Sequence, residues 1–202
     1  MAESFVALLN RHLGGRVALS DDQVAALERH YDILVRWNRV LNLTSIRNAE
    51  EAVVRHYCEC LFFASLLPET GRVLDFGSGA GFPGIPIAVF HPECMVSLLE
   101  SHKRNAVFLR EATREFGNVE VLAQRAEDLY GVWDLLVSRA VSSASVLEQV
   151  PRLAPRVGML VGEDFLREGG EFPGVQWETP VKLLWGEGRW AVFGMFHVEH
   201  CS

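Results

Sequence analysis

Asp75, Gly77, Gly79, Gly81 and Glu100 are the residues whose types and spacing most directly imply chemistry. The apolar pair Val73-Leu74 delivers Asp75, and Phe76-Gly77-Ser78-Gly79-Ala80-Gly81-Phe82 then alternates glycine with other residues ahead of a helix candidate. Glycines at this spacing permit a tight turn and let the backbone approach a nucleotide-like ligand without Cβ atoms in the way. Glu100 closes the next apolar run, Met95-Val96-Ser97-Leu98-Leu99, where a carboxylate at a strand end takes both hydroxyls of a ribose. The pair implies an adenosine-containing cofactor.

Gly79-Ala80-Gly81-Phe82-Pro83-Gly84 also fits the dinucleotide fingerprint G-x-G-x-x-G, so a nicotinamide enzyme has to be weighed. Asp75 stands two residues before Gly77, which makes the pattern Asp-x-Gly-x-Gly-x-Gly, the usual form of an S-adenosyl-L-methionine loop. A dehydrogenase tends to have a small apolar residue there because pyrophosphate brings negative charge close by. An acid near the methionine ammonium is favourable, directly or through water. The Tyr-x-x-x-Lys of a short-chain reductase is also missing: Tyr31, Tyr57 and Tyr130 are followed four residues on by Val35, Leu61 and Asp134. The reading is therefore S-adenosylmethionine. Gln124-Arg125-Ala126-Glu127-Asp128, after a third strand candidate, would pass the adenine, and Arg139 would end a fourth strand at the carboxyl edge, where open α/β sheets bind ligands.

The elements that must position these residues follow from periodicity. Ser20-x-x-Gln23 is a capping box with Asp21 and Asp22 in the first turn, and Val24, Leu27, Tyr31, Leu34 and Leu41 recur behind it at helical spacing. A second helix is predicted from Asn48, burying Val54, Tyr57, Leu61 and Ala64 before Pro68, with Asn42-Leu43-Thr44-Ser45-Ile46-Arg47 as a polar loop between the two. Residues 1–67 are thus expected as an N-terminal helical cap and 68–202 as the cofactor domain, in one compact unit. From Arg72, strands are predicted at 72–76, 95–99, 119–122, 133–138 and 157–162, and helices near 84–90, 102–116 and 143–152. That alternation implies a mostly parallel, doubly wound α/β sheet. Arg167 to Gly174 reads as a loop, and runs 180–185 and 190–196, split by Gly186-Glu187-Gly188, as an antiparallel hairpin. The expected fold class is the Rossmann-like class I methyltransferase.

The whole chain, 202 residues with 49% hydrophobic and 22% charged, has room for one such domain plus an extension. A net charge of −7 gives no global field toward nucleic acid, although 17 of its 19 basic residues are Arg, the side chain suited to forked phosphate and guanine contacts. Cys58, Cys60, Cys94 and Cys201 form no zinc-ribbon spacing and read as free thiols, with Cys58 and Cys60 expected on different helix faces, one core and one surface. No signal peptide or membrane span is read, so a cytoplasmic monomer without a DNA or membrane partner is expected. His197-x-x-His200 has no third ligand, and no metal is assigned to it.

Asn-Leu-Thr-Ser-Ile-Arg at 42–47, Val54-Arg55-His56-Tyr57, the run from Asp75 through Gly81-Phe82-Pro83-Gly84-Ile85-Pro86, and Ser138-Arg139-Ala140 together resemble the RsmG (GidB) family over about residues 20–160. The resemblance implies a bacterial enzyme that methylates N7 of one guanine, guanine 527, in a hairpin of 16S small-subunit rRNA near the decoding site. It further implies that Gly77, Gly79 and Phe82 meet the cofactor, Glu100 the ribose, and Ala126 and Glu127 the adenine edge. Arg139 would line the place where cofactor and guanine meet, while Arg47, Arg55 and His56 would face RNA. Because N7 carries an in-plane lone pair, no general base is required and catalysis is by positioning. Where the family commonly has Lys-Gly after the fifth strand, this chain has Gly162-Glu163-Asp164. Two other functions compete: a small-molecule methyltransferase with the helical cap as a lid, and a binding module that has lost its cofactor.

Overall fold

The computed structural model describes residues 3–68, 70–167 and 174–196. Its centre is set by four apolar runs that are buried on both sides, the signature of a parallel sheet covered on each face, with a fifth, less buried strand at its edge. β1 (Arg72–Phe76), β2 (Met95–Leu99), β3 (Val119–Leu122), β4 (Leu135–Arg139) and β5 (Arg156–Gly162) lie parallel in the spatial order β3-β2-β1-β4-β5. The chain leaves β3 on one side of β1 and re-enters the sheet as β4 on the other, so the topological switch point falls at the carboxyl ends of β1 and β4.

Side chains alternate between two cores. Val73, Val96, Leu98, Leu135 and Val137 face one, and Leu74, Leu99, Leu136 and Met159 the other. The first core is covered by α1 (Phe5–Leu13), α2 (Asp21–Leu41), the π-helical stretch Val53–Cys58 that follows α3 (Ala49–Ala52), α4 (Glu59–Ser65), α5 (Gly84–Phe90) and α6 (Lys103–Ala112). The second is covered by α7 (Ser143–Leu153), which buries Val146, Leu147, Val150 and Leu153. The N-terminal helices therefore share a core with the sheet. The class I methyltransferase architecture expected from the strand–helix alternation is the one observed.

Local chemistry sets the boundaries. Ser20 and Gln23 form the reciprocal cap at the start of α2, and the Gln23 amide also donates to Val89 O at 2.8 Å, fixing α2 against α5. Asn48 caps α3, and the helix continues to Ser65 through a π-helical stretch, Val53–Cys58. The strand expected at 133–138 begins two residues later. Asp134 is occupied in accepting the N–H groups of Gly71 and Arg72, and the Trp133 indole donates to Ser97 Oγ at 2.8 Å. The helix expected at 102–116 is shorter, Lys103–Ala112. Two helices were not expected at all: α1, capped by Ser4, and α8 (Glu163–Arg167).

The antiparallel closure differs in detail from a simple hairpin. β8 (Arg189–Phe196) lies against β5, and its outer edge carries two short pieces, β6 (Val175–Trp177) and β7 (Val181–Lys182). The pairing slips by one residue between them, around Pro180, as a bulge with a proline on an edge strand does. Positions 168–173 of the acidic loop, the His197/His200 pair and Cys201 lie outside the described residues. Cys58 and Cys60 are both fully buried, contrary to the expectation of one surface thiol, because the helix that carries them is enclosed on nearly every side. Among the described residues no helix is long and apolar enough to cross a membrane.

Candidate active site

The glycine bend at the end of β1 is held from three directions. Beneath it, the Asp75 carboxylate accepts the Gly84 N–H at 3.0 Å and so caps α5, whose own N-terminus has no side-chain cap. Gly84 has to be glycine for this contact: a Cβ there would lie 2.3 Å from Leu98 Cδ2 and 2.6 Å from Asp75 Oδ2. Asp75 is wholly buried, and desolvation pushes its pKa up to about 7. The structure thus places this acid under the loop as a helix cap, with its other oxygen, Oδ1, buried without a hydrogen-bond partner among the described residues. Beside the bend, Glu100 accepts the Gly79 N–H (3.0 Å), the His102 N–H (2.7 Å) and, more loosely, the Asn105 amide (3.4 Å). Above it stands His30 of α2, which the sequence reading missed.

His30 is fully buried between the loop and the helix before α4. Its Nε2–H donates to Ala80 O at 3.1 Å, the only role open to that nitrogen, so Nδ1 accepts from the Tyr57 hydroxyl at 2.9 Å and the ring is neutral. Burial lowers its pKa to about 4. A folded-state value below the unfolded one means that the unfolded chain binds more protons between pH 4 and 6.5. His30 therefore contributes stability that is present above about 6.5 and lost as pH falls toward 4. Asp75 works in the opposite sense, losing stability as pH rises toward 7. Against this background, His30→Gln is expected to reduce the slope of unfolding free energy with pH, between 4.5 and 6, by about 1 kcal/mol per unit. Urea titrations at the two pH values measure it, and an unchanged slope would contradict the assignment.

Two hollows meet at Gly77, whose backbone lines both. The first, about 510 Å³, lies between the 42–47 loop, the π-helical stretch, the glycine bend and the end of β4, with Thr44, Arg55, His56, Gly79, Phe82 and Arg139 in its wall. The second, about 330 Å³, is bounded by Phe76, Leu99, Gln124, Ala126 and Glu127. A Cβ on Gly79 would meet nothing closer than 3.9 Å, so hydrogen at this position is what leaves the cradle open. A polar hollow with two guanidinium groups, a waist of bare backbone and a second hollow in which Phe76, Leu99 and Ala126 stand among polar side chains suit an elongated ligand with a charged amino-acid end and a heterocyclic end. S-adenosylmethionine fits that description.

Most of the sequence-derived site residues are thus drawn to one place: Gly77, Gly79, Phe82, Arg55 and Arg139 around the first hollow, Ala126 and Glu127 around the second, and Glu100 at the loop between them. Arg47 is not among them. Its guanidinium donates to Asn38 O (3.2 Å) and Asn42 Oδ1 (2.8 Å), satisfying the C-terminus of α2 on the far side of the loop. His56 departs from its expected outward orientation. It is buried, stacks on Phe82 at 4.7 Å and 15°, and bonds Arg139 Nη1 (2.9 Å) and Thr44 Oγ1 (2.8 Å). The sequence did carry a signal for both histidines: His30 shares a helical face with Leu27 and Leu34, and His56 shares one with Val53 and Cys60.

Comparison with known proteins agrees with this geometry. The family model described as rRNA small subunit methyltransferase G (GidB) matches residues 23–161. Curated relatives named Ribosomal RNA small subunit methyltransferase G include those of Dichelobacter nodosus, 38% identical over 70% of this chain and 71% of that one, and Xanthomonas euvesicatoria pv. vesicatoria, 36% identical over 84% and 76%. The match to the relative from Desulforamulus reducens, at 37% identity, covers 65% of this chain and spans 59% of the relative's own length. Among solved structures, P. horikoshii TYW2 in complex with MeSAdo superposes with a TM-score of 0.54 at 19% identity, over 68% of this chain and 61% of that one. The 23S rRNA methyltransferase ErmE superposes with 0.52 at 18%, over 69% and 68%. These two likenesses speak for the fold. The glycine bend, the end of β4 and the helix bearing His56 all fall within the matched residues, and the chain belongs to the rRNA small subunit methyltransferase G family.

Proposed function

We propose that this chain is an S-adenosylmethionine-dependent methyltransferase of 16S rRNA, acting on N7 of a guanine, guanine 527 by family resemblance, in the small ribosomal subunit. The observation that carries the reading is the pair of hollows joined at Gly77 on the switch point of the sheet, in a chain of this family. Bound there, S-adenosylmethionine supplies a sulfonium methyl group, which the N7 lone pair takes as the carbon–sulfur electron pair returns to sulfur. Gly77, Gly79 and Phe82 shape the seat, Glu100 holds the ribose, and Ala126 and Glu127 meet the adenine edge. No proton has to leave N7, so the protein's task is alignment. Arg139 orients the guanine through its fork of N–H donors toward the base's acceptor atoms.

The exposed Arg36 and Arg39 of α2 and Lys103, Arg104 and Arg110 of α6 stand on two helices that pack together through Trp37 and Phe108, and they form the basic side from which an RNA backbone would approach. The side beyond Glu51 and Arg55, which also line the substrate hollow, is less suited to phosphate. There Glu50, Glu51, Glu163, Asp164 and Glu187 surround a hollow of about 910 Å³ that also holds Arg55 and Arg189. Arg167 is already paired with Glu163 at 3.0 Å.

Arg139→Ala is expected to lower the methylation rate of small-subunit particles, taken from cells lacking this protein, by about 100-fold, the usual loss of a positioned donor. Incorporation of labelled methyl measures it, and a wild-type rate would remove Arg139 from the mechanism. Labelling confined to small molecules, with none in rRNA, would favour a small-molecule methyltransferase with the helical cap as its lid.

A further inference from the structure

Arg139 does not hold itself. It ends β4, and the next residue, Ala140, has φ +59, so the chain turns sharply away and leaves the guanidinium without local backbone support. Among the described residues its Nε–H is buried without a hydrogen-bond partner. The one hydrogen bond its guanidinium makes reaches across 83 residues of sequence, from Nη1 to His56 Nδ1 at 2.9 Å. Arginine can only donate, so Nδ1 must carry the lone pair and Nε2 the proton. That proton goes to Thr44 Oγ1 at 2.8 Å, and the same oxygen accepts the Ile46 N–H at 3.2 Å. Phe82 lies flat against the ring, and the Tyr57 and His30 rings pack on Phe82 in turn, at 5.1 and 5.2 Å. The imidazole is thus fixed in plane, in tautomer and in charge.

Resting on the methyltransferase reading above, we infer that His56 is a positioning residue, whose neutral imidazole holds the Arg139 guanidinium in the wall of the substrate hollow and ties it to the 42–47 loop through Thr44. A protonated His56 would be unable to accept from Arg139 and would place two cations in contact. Burial, together with the charges of Arg139, Arg55 and Arg189, keeps it neutral, with a pKa lowered to about 3. The neighbouring carboxylate that could offset this, Glu59, is engaged by Arg189 at 2.7 Å. Among the described residues Arg139 is therefore held by a hydrogen bond and by no ion pair, which leaves its guanidinium open to a ligand's acceptor atoms.

The test compares His56→Leu, which removes the acceptor, with His56→Asn, which restores one. Two readouts are taken: methylation of small-subunit particles, and the rate at which phenylglyoxal modifies Arg139, followed by mass spectrometry. In the leucine variant we expect kcat to fall by about 100-fold, as a misplaced orienting group does, and Arg139 to be labelled several times faster. Affinity for S-adenosylhomocysteine should stay within about threefold, a change of under 1 kcal/mol. The asparagine variant should recover at least about a tenth of the wild-type rate and the wild-type labelling. Equal labelling of Arg139 in the wild type and the leucine variant overturns the inference, whatever the methylation result. So does equal impairment of the two variants accompanied by loss of S-adenosylhomocysteine binding. If the wild-type chain leaves rRNA unmodified, the functional reading fails, and the labelling still decides the role of His56.

Discussion

Glu100→Gln is expected to weaken S-adenosylhomocysteine binding by at least about 100-fold, roughly 2.7 kcal/mol, although it changes one atom of the side chain. The reason lies in the number and kind of partners. Glu100 is almost wholly buried, and its two oxygens already accept the N–H groups of Gly79 and His102. A carboxylate offers about four lone-pair sites, so both backbone donors can be kept while two ribose hydroxyls are taken, once the long 3.4 Å contact with Asn105 is given up. An amide offers half that capacity. Its NH₂ would point at either the Gly79 or the His102 N–H, donor against donor, and each buried backbone group left unpaired costs about 1–3 kcal/mol. Because Gly79 belongs to the bend itself, the loss deforms the seat as well as the ribose contact. Calorimetry on the two proteins measures it. A dissociation constant within threefold of wild type would show that the carboxylate does not grip the ligand.

This part of the site was legible because its chemistry is local in sequence. Backbone turns need glycine wherever they occur, so the run 77–81 and the acid at the next strand end announce themselves, and the apolar runs of β1 to β5 announce the sheet that presents them. What was not legible depends on how loops fold back and on partners brought in from other elements. Asp75 looks like a ligand acid from its spacing, but its burial beneath α5 and its bond to Gly84 follow from how the loop folds back. Arg47 is expected at RNA from its motif, and its bonds to Asn38 O and Asn42 Oδ1 at the C-terminal end of α2 are set by how the 42–47 loop returns on that helix. His56 is expected to face RNA on the family resemblance alone. The π-helical stretch and the enclosure of that helix turn it inward, against a residue of β4. β6 escaped because three residues carry too little alternation to read as a strand, and its pairing is supplied by β8.

The largest effect on stability is expected where β8 meets the start of α4, from Arg189→Met. Arg189 opens β8 and reaches Glu59 Oε2, at the start of α4, at 2.7 Å; the Glu59 side chain is 1% exposed and that of Arg189 23%. Burial raises the pKa of Glu59 while the charge of Arg189 works to lower it, so the pair persists only with both members present. Glu59 Oε1 and Arg189 Nε are both buried without hydrogen-bond partners among the described residues, which means the pair is incompletely satisfied even when intact. Removing the arginine leaves a buried carboxylate with no counter-charge and should cost about 3–5 kcal/mol at neutral pH. The loss should shrink as pH falls, since a proton can neutralise Glu59 in the variant. Glu59→Met combined with Arg189→Met should recover most of the stability, because two apolar side chains of similar volume need no pairing. Urea denaturation of the four proteins of this cycle gives the coupling energy directly. A single-variant loss below about 1 kcal/mol, the value of an exposed ion pair, would mean that the contact does not fasten the cap to the sheet. With a loss of the expected size, Glu59–Arg189 is a second attachment of the same helix, three residues on from the His56 that holds Arg139. Methylation by Arg189→Met should then fall further than its affinity for S-adenosylhomocysteine.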